Sequence, residues 1–264
     1  MKEQLRLIAL GATFAVALVA VGCGAAEEEA PAEAPAPAEE PAEEPMDVLA
    51  DPTRPAAELE QDADRKALDV YEFLGVQDGM TVADVWASGG YNTHLLSRVN
   101  AGGQVYAILG FYAEGNFASK DALAQRIVDA SLDNVEMVDG ITDVPADSVD
   151  VSIAIRNFHD ADDYGDGREA TVQQLFAITK PGGIVGVVDV ATPHEGWHEE
   201  THRLAEQAVI DNFTAGGFVL LESSDMLRNP DDDASTSGFE PEFGGRYKAD
   251  RYLLKFQKPE ASDS

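Results

Sequence analysis

Short apolar runs and helix-spaced stretches alternate along this chain from about residue 51 onward. Thr81 to Trp86 (TVADVW) is an apolar run broken by one carboxylate, Asp84, and predicts a buried strand. Gln104 to Leu109, Val135 to Val138, Val149 to Ile155 and Ile184 to Val190 repeat that pattern. Between them, Ala63, Ala67, Val70, Tyr71 and Leu74 fall at helical spacing, and Gly75 suits the helix end. Tyr91 to Val99, Ser119 to Ala130 and Thr171 to Thr179 predict further helices, with Ser119 as an N-cap and Lys180-Pro181-Gly182-Gly183 as a break. Strands separated by helices imply a parallel sheet covered on both faces, and unbroken apolar runs suit strands buried on both sides. The rhythm then changes. A helix from about Glu199 to Thr214 ends at Gly216-Gly217, and Phe218 to Glu222 and Arg251 to Phe256 follow as strands with no helix between them. That predicts an antiparallel pair at one sheet edge.

Ser88-Gly89-Gly90 lets the backbone turn sharply between the first strand and the helix from Tyr91. Such a turn aims backbone N–H groups and the positive end of a helix dipole at whatever lies above the sheet. In an open parallel sheet, ligands bind beyond the carboxyl ends of the strands, where the topology switches. Ser88 to Gly90, Leu109-Gly110, Asp139 and Asn157 to Asp160 all fall at such ends.

The first fifty residues differ from the rest. Lys2 and Arg6 precede an uncharged run, Leu7 to Gly22, that ends in small residues before Cys23, the single cysteine of the 264. This predicts a secretion signal over 1–22. It resembles the lipobox of bacterial lipoproteins, which implies acylation of Cys23 and attachment to a membrane of the cell envelope. With Cys23 lipidated, the chain has no thiol left for nucleophilic or metal chemistry. Residues 23–50, mostly Ala, Glu and Pro, read as an extended tether. A folded domain is expected over 51–260, with 261–264 as a tail. The formal charge of −31, from 49 acidic against 18 basic residues, argues against binding nucleic acid or an anionic membrane surface through charge.

Taken together, the blocks resemble class I S-adenosylmethionine-dependent methyltransferases over roughly Ala63 to Pro259. The matching blocks are Gly79 to Asp84, the Gly-containing turn, Val105 to Ala107, Ser148 to Asp150 and Lys180 to Gly183. Asn157-Phe158-His159-Asp160, His202-Arg203 and Leu227-Arg228-Asn229-Pro230 narrow the likeness to a group of predicted bacterial methyltransferases. The resemblance implies a three-layer Rossmann-like α/β fold, a mostly parallel seven-stranded sheet and an antiparallel C-terminal strand. It implies S-adenosylmethionine as cofactor and a small-molecule or unidentified methyl acceptor. Ser88, Gly89 and Gly90 would lie under the cofactor's amino-acid part, Asp84 would anchor the turn, and Asp139 would accept from the adenine amine. Asn157 to Asp160 would face methyl donor and acceptor, with His159 as a base. The family's Gly-x-Gly-x-Gly places are Trp86, Ser88 and Gly90 here, and no acidic residue ends the second strand, although Glu114 lies nearby.

Two other readings stay open. His194-Glu195-Gly196-Trp197-His198 matches H-E-x-x-H, with His202 four residues on, and on a helix this spacing would align zinc ligands. Pro193 and Gly196 disfavour that helix, so the segment is read as a polar loop over the cleft. A non-catalytic ligand-binding lipoprotein that keeps the methyltransferase fold is the other alternative.

Overall fold

The computed structural model describes residues 47–114, 119–239 and 247–260. The expectations for the signal, Cys23, most of the tether and the tail lie outside these residues. Folded chain is present from Asp47, whose side chain accepts from the Leu49 N–H and starts a 3-10 turn at Val48–Ala50. Three short helices follow, α1 (Ala56–Leu59), α2 (Asp62–Arg65) and α3 (Ala67–Leu74). The single helix expected through Ala63 is interrupted at Lys66, which is left-handed (φ 51°) and hydrogen-bonds the Met226 carbonyl through Nζ.

The core then alternates as the pattern predicts: β1 (Thr81–Val85), α4 (Tyr91–Val99), β2 (Gln104–Ile108), α5 (Ser119–Asp129), β3 (Val135–Val138) and β4 (Val149–Ile155). A turn of helix, α6 (Ala161–Tyr164), and α7 (Arg168–Ile178) lead to β5 (Thr179–Val190). A two-stranded hairpin, β6 (Trp197–His198) and β7 (Arg203–Leu204), precedes α8 (Glu206–Ala215), β8 (Val219–Ser224) and β9 (Arg251–Gln257). Among the described residues the main sheet has seven strands in the order β3-β2-β1-β4-β5-β9-β8. Pairs from β3 to β5 are parallel, and β9 runs antiparallel to both neighbours.

Alternation along each strand feeds two cores. Ala83, Val85, Ala154, Val185 and Val187 pack with Val172, Leu175 and Phe213. Val82, Val105, Val151 and Ile153 pack with Tyr71, Leu74, Leu95 and Leu96. Each of these larger side chains contributes about 1.5–3 kcal/mol when removed from water, so covering both faces is what holds the sheet in place.

The segment 199–205 departs from expectation. Instead of opening a helix at Glu199, the chain folds back through the β6–β7 hairpin, and α8 starts at Glu206. Arg203 explains this. It is fully buried, pairs with Asp232 at 2.9 Å and donates to the Ala191 and Thr236 carbonyls, which a helix through 203 would not allow. β5 likewise begins earlier than expected. Lys180 to Gly183 form an irregular entry to the strand, with a register shift between Val149 and Val151.

The N-terminal segment is latched by Asp51, which is buried and contacts His94 Nε2 at 2.9 Å and Arg98 Nε at 2.7 Å. Burial opposes its charge, but hydrogen bonds from His94, Thr53 and Arg98 outweigh that and hold the carboxyl well below the usual range. A depressed folded pKa stabilises above the unfolded value of about 3.9, and that contribution is lost as pH falls through the folded value. Asp51→Asn is therefore expected to cost about 3 kcal/mol in urea denaturation at pH 7. The gap to the parent should narrow below about pH 4; a loss under about 1 kcal/mol at pH 7 would show that the latch carries little of the stability.

Candidate functional site

At the carboxyl end of β1 the chain makes an unusual turn. Trp86 (φ 54°), Ser88 (φ 50°) and Gly90 (φ 84°) are all left-handed, the conformation that glycine adopts most readily. The Ala87 N–H reaches the Ile108 carbonyl at 2.8 Å, and the Gly90 N–H closes on the Ala87 carbonyl at 2.9 Å. Asn157, just past β4, donates Nδ2 to the Val85 carbonyl at 2.7 Å. Asp84 accepts from the Thr93 hydroxyl at 2.6 Å and so ties β1 to α4.

A cavity of about 280 Å³ opens on this turn. Asp84, Ser88, Gly89, Gly90 and Asn157 line it together, as the resemblance implied, and so do Arg65 and Arg156. Arg65 is held between the Tyr91 and Tyr247 rings, 3.6 and 3.9 Å from their centroids. Glu58, which pairs with Arg126, lines the cavity too, so two guanidiniums and two carboxyl groups share it beside the backbone turn. Asn157 Oδ1 is buried in its wall without a hydrogen-bond partner. Gly89 and Gly90 differ in role. A Cβ on Gly89 would meet open space, whereas one on Gly90 would lie 2.6 Å from Leu123 Cδ1. Gly90 is thus constrained by packing and by its φ.

Asp139 lines a second cavity, of about 510 Å³, with Gly110, Glu114, Gly140 and Ile141. Its carboxylate pairs with Lys120 at 2.8 Å. Trp86 lines both cavities. Its indole is packed against Gly110, lies 5.3 Å from the Phe111 ring and touches the position of a Gly165 Cβ. The side chain therefore stands as a partition across the end of β2.

His159 and Asp160 line neither cavity. They form a 3-10 turn after β4 under the β6–β7 hairpin, where Trp197 stacks on the His159 ring (5.4 Å, 6°) and His202 meets it edge-on at 4.5 Å. His159 Nδ1 contacts Asp189 Oδ1 at 2.7 Å, and both side chains are fully buried. Burial disfavours the imidazolium, but Asp189 and then Asp160 outweigh it and raise the His159 pKa, while Asp189 is lowered. Asp189 was not foreseen, although a lone carboxylate inside the apolar strand Ile184 to Val190 was its signal. Arg65 and Arg156 carried no such signal, since their convergence depends on tertiary structure. The H-E-x-x-H segment forms no zinc-ligand helix. His194 stacks on His198 at 4.2 Å, and only His202 joins the buried cluster.

No family model matches the chain, and no curated protein matches it in sequence. Solved structures do resemble it. The (4+2)-cyclase SpnF superposes with a TM-score of 0.59 at 17% identity, over 77% of this chain and 84% of that one. A SAM-dependent methyltransferase from Aquifex aeolicus gives 0.56 at 16%, over 75% and 93%. Geranyl diphosphate C-methyltransferase from Streptomyces coelicolor A3(2), solved with Mg2+, geranyl diphosphate and S-adenosyl-L-homocysteine, gives 0.56 at 15%, over 80% and 86%. The fold is the Rossmann-like methyltransferase fold. The cyclase among these structures shows that the fold also carries other chemistry.

Burial pushes Asp84 up to about 7, against the Thr93 hydrogen bonds and the Arg65 charge. A folded pKa above the unfolded value of about 3.9 means that its contribution is greatest below that value and is lost as pH rises through about 7. Asp84→Asn keeps an acceptor for Thr93 without the charge. Its melting temperature should exceed the parent's by several degrees at pH 8, and the gap should close toward pH 4; a pH-independent gap would contradict the assignment.

Proposed function

We propose that this chain is an S-adenosylmethionine-dependent methyltransferase for a small-molecule acceptor, held at the bacterial cell envelope by a lipid on Cys23. The observation that carries the reading is the cavity at the ends of β1 and β4, where a turn with three left-handed residues (86, 88 and 90), two guanidiniums and an unpartnered buried amide oxygen converge. These groups fit the amino-acid end of the cofactor: Arg65, Arg156 and the Ser88 and Gly89 N–H groups for its carboxylate, Asn157 Oδ1 for its ammonium. Asp139 and Glu114, which line the second cavity, would face the adenosine end. Trp86 does not fit as it stands, because the cofactor would have to pass through its indole to reach both cavities. When bound, the sulfonium would supply an electrophilic methyl carbon, and the chain's contribution would be alignment of the acceptor. His159 lines neither cavity.

The Trp86 partition favours one alternative, a non-catalytic protein that binds a small anionic ligand in the first cavity alone. Calorimetry on the full chain separates the two. S-adenosylmethionine and S-adenosylhomocysteine should each bind once per chain, and Gly89→Leu, which fills open space in the cavity, should abolish this without lowering the melting temperature. Trp86→Ala should tighten binding about tenfold, roughly 1.4 kcal/mol, by joining the cavities. Absence of binding by the parent at about millimolar ligand would sink the enzyme reading and leave the alternative.

The anchor has a separate test. Cys23→Ser should shift the protein from the detergent phase to the aqueous phase in a cloud-point partition of whole-cell extracts. An unchanged distribution would remove the lipid on Cys23 from the proposal.

A further inference from the structure

Outside both cavities, three potential metal donors converge without satisfying one another. Asp160 Oδ2 lies 3.4 Å from His159 Nε2, and Asp160 Oδ1 lies 3.4 Å from His202 Nε2. One donor atom from each of the three residues can be chosen so that all lie within 4.8 Å of one another. The His159 side chain is fully buried, yet its Nε2 has no hydrogen-bond partner, and neither has Asp160 Oδ1. The reason lies on the other side of the ring. Asp189 takes Nδ1 at 2.7 Å, and also accepts the His159 and Val190 backbone N–H groups at 3.1 and 2.8 Å. In the neutral ring this fixes the proton on Nδ1 and turns the Nε2 lone pair toward Asp160.

We propose that His159 Nε2, Asp160 and His202 Nε2 bind a single divalent transition-metal ion. Two imidazoles and one carboxylate are the donor set of three-ligand zinc and non-haem iron sites, which keep an open coordination position. Donors about 2.1 Å from a metal in tetrahedral array stand about 3.4 Å apart, and each imidazole stands at that separation from one of the two Asp160 oxygens, His159 from Oδ2 and His202 from Oδ1. A proton on Nε2 closes the gap less well, since charge-assisted N–H···O bonds run at about 2.7–2.9 Å. Imidazole donors select against Mg2+ and Ca2+, which take oxygen.

The surroundings are those of a metal site. Asp189 holds His159 from behind, in the carboxylate–histidine–metal arrangement that fixes ring orientation and raises donor strength. Trp197 stacks on His159, and Phe239 packs 4.9 Å from His202, so apolar rings shield the donors. Arg156, 4.7 Å from the Phe239 centroid, is a cation that opposes the ion at longer range. His202 is 30% exposed and marks the side from which an ion enters and at which a further ligand would coordinate. His194 and His198 have no part in the site; they stack on each other, and His198 Nδ1 is engaged by the Thr201 hydroxyl at 2.8 Å.

The test is metal uptake by the full chain after stripping with chelator, and it does not depend on methyltransferase activity. Zn2+ titrated by calorimetry should bind once per chain. Co2+ should give visible absorption bands, with intensity that reports four- or five-coordination. His202→Ala, at a partly exposed position that leaves the core intact, and Asp160→Asn should each weaken Zn2+ binding at least about 100-fold with unchanged far-UV circular dichroism. His194→Ala and His198→Ala should bind as the parent does. No uptake by the parent below about millimolar Zn2+ overturns the site. So does uptake that survives His202→Ala and Asp160→Asn, or uptake that the His194 and His198 variants lose instead.

Discussion

The architecture of the site depends on how the carboxyl ends of β1 and β4 are held apart and joined. Parallel neighbours diverge at a topological switch point, and their last carbonyls would be left without partners there. Asn157 supplies the missing donor by reaching from the end of β4 to Val85 and, at 3.4 Å, to Trp86. That bridge fixes the turn at residues 86–90 above the sheet and sets where the 3-10 turn of Phe158, His159 and Asp160 begins. The 280 Å³ cavity lies on one side of it, and the histidine cluster begins two residues beyond it. One amide thus holds both the wall of the cavity and the start of the histidine cluster.

Most of the fold was legible because burial on both faces writes itself into the sequence. The strands Val135–Val138 and Val149–Ile155 have the predicted bounds, and the reversed C-terminal strand was implied by two apolar runs without a helix between them. The misses share a cause. Lys66 ends a helix that periodicity would continue, and Arg203 diverts the chain into a hairpin where spacing alone favoured a helix. In both places a long charged side chain found a tertiary partner, Met226 in one case and Asp232 in the other, that no local pattern announces.

The turn itself shows how a motif can vanish from the sequence and persist in the backbone. Trp86 and Ser88 replace the glycines expected by resemblance, yet both take the left-handed conformation that glycine adopts most readily. Holding a tryptophan there costs about 1–2 kcal/mol, so the surroundings must supply a return. The indole's packing against Gly110 and Phe111 supplies it by burying apolar area. The residue that weakens the sequence signature is therefore an integrated part of the structure. Its position between the two cavities makes it the point on which occupancy by a long ligand turns.

The histidines illustrate the same limit from the opposite direction. On a helix a spacing of four would place His194, His198 and His202 on one face, because i and i+4 lie one above the other. On the β6–β7 hairpin that rule lapses. His202 adopts a left-handed φ of 53° between the 3-10 turn and β7, which carries its ring away from the His194–His198 stack and onto His159. The pair written adjacently as His202-Arg203 is split in space, with Arg203 sealing the hairpin against Asp232 and His202 completing a cluster with His159 and Asp160. Any metal chemistry of this chain follows from that division, because the hairpin anchored by Arg203 is what delivers the second imidazole to Asp160.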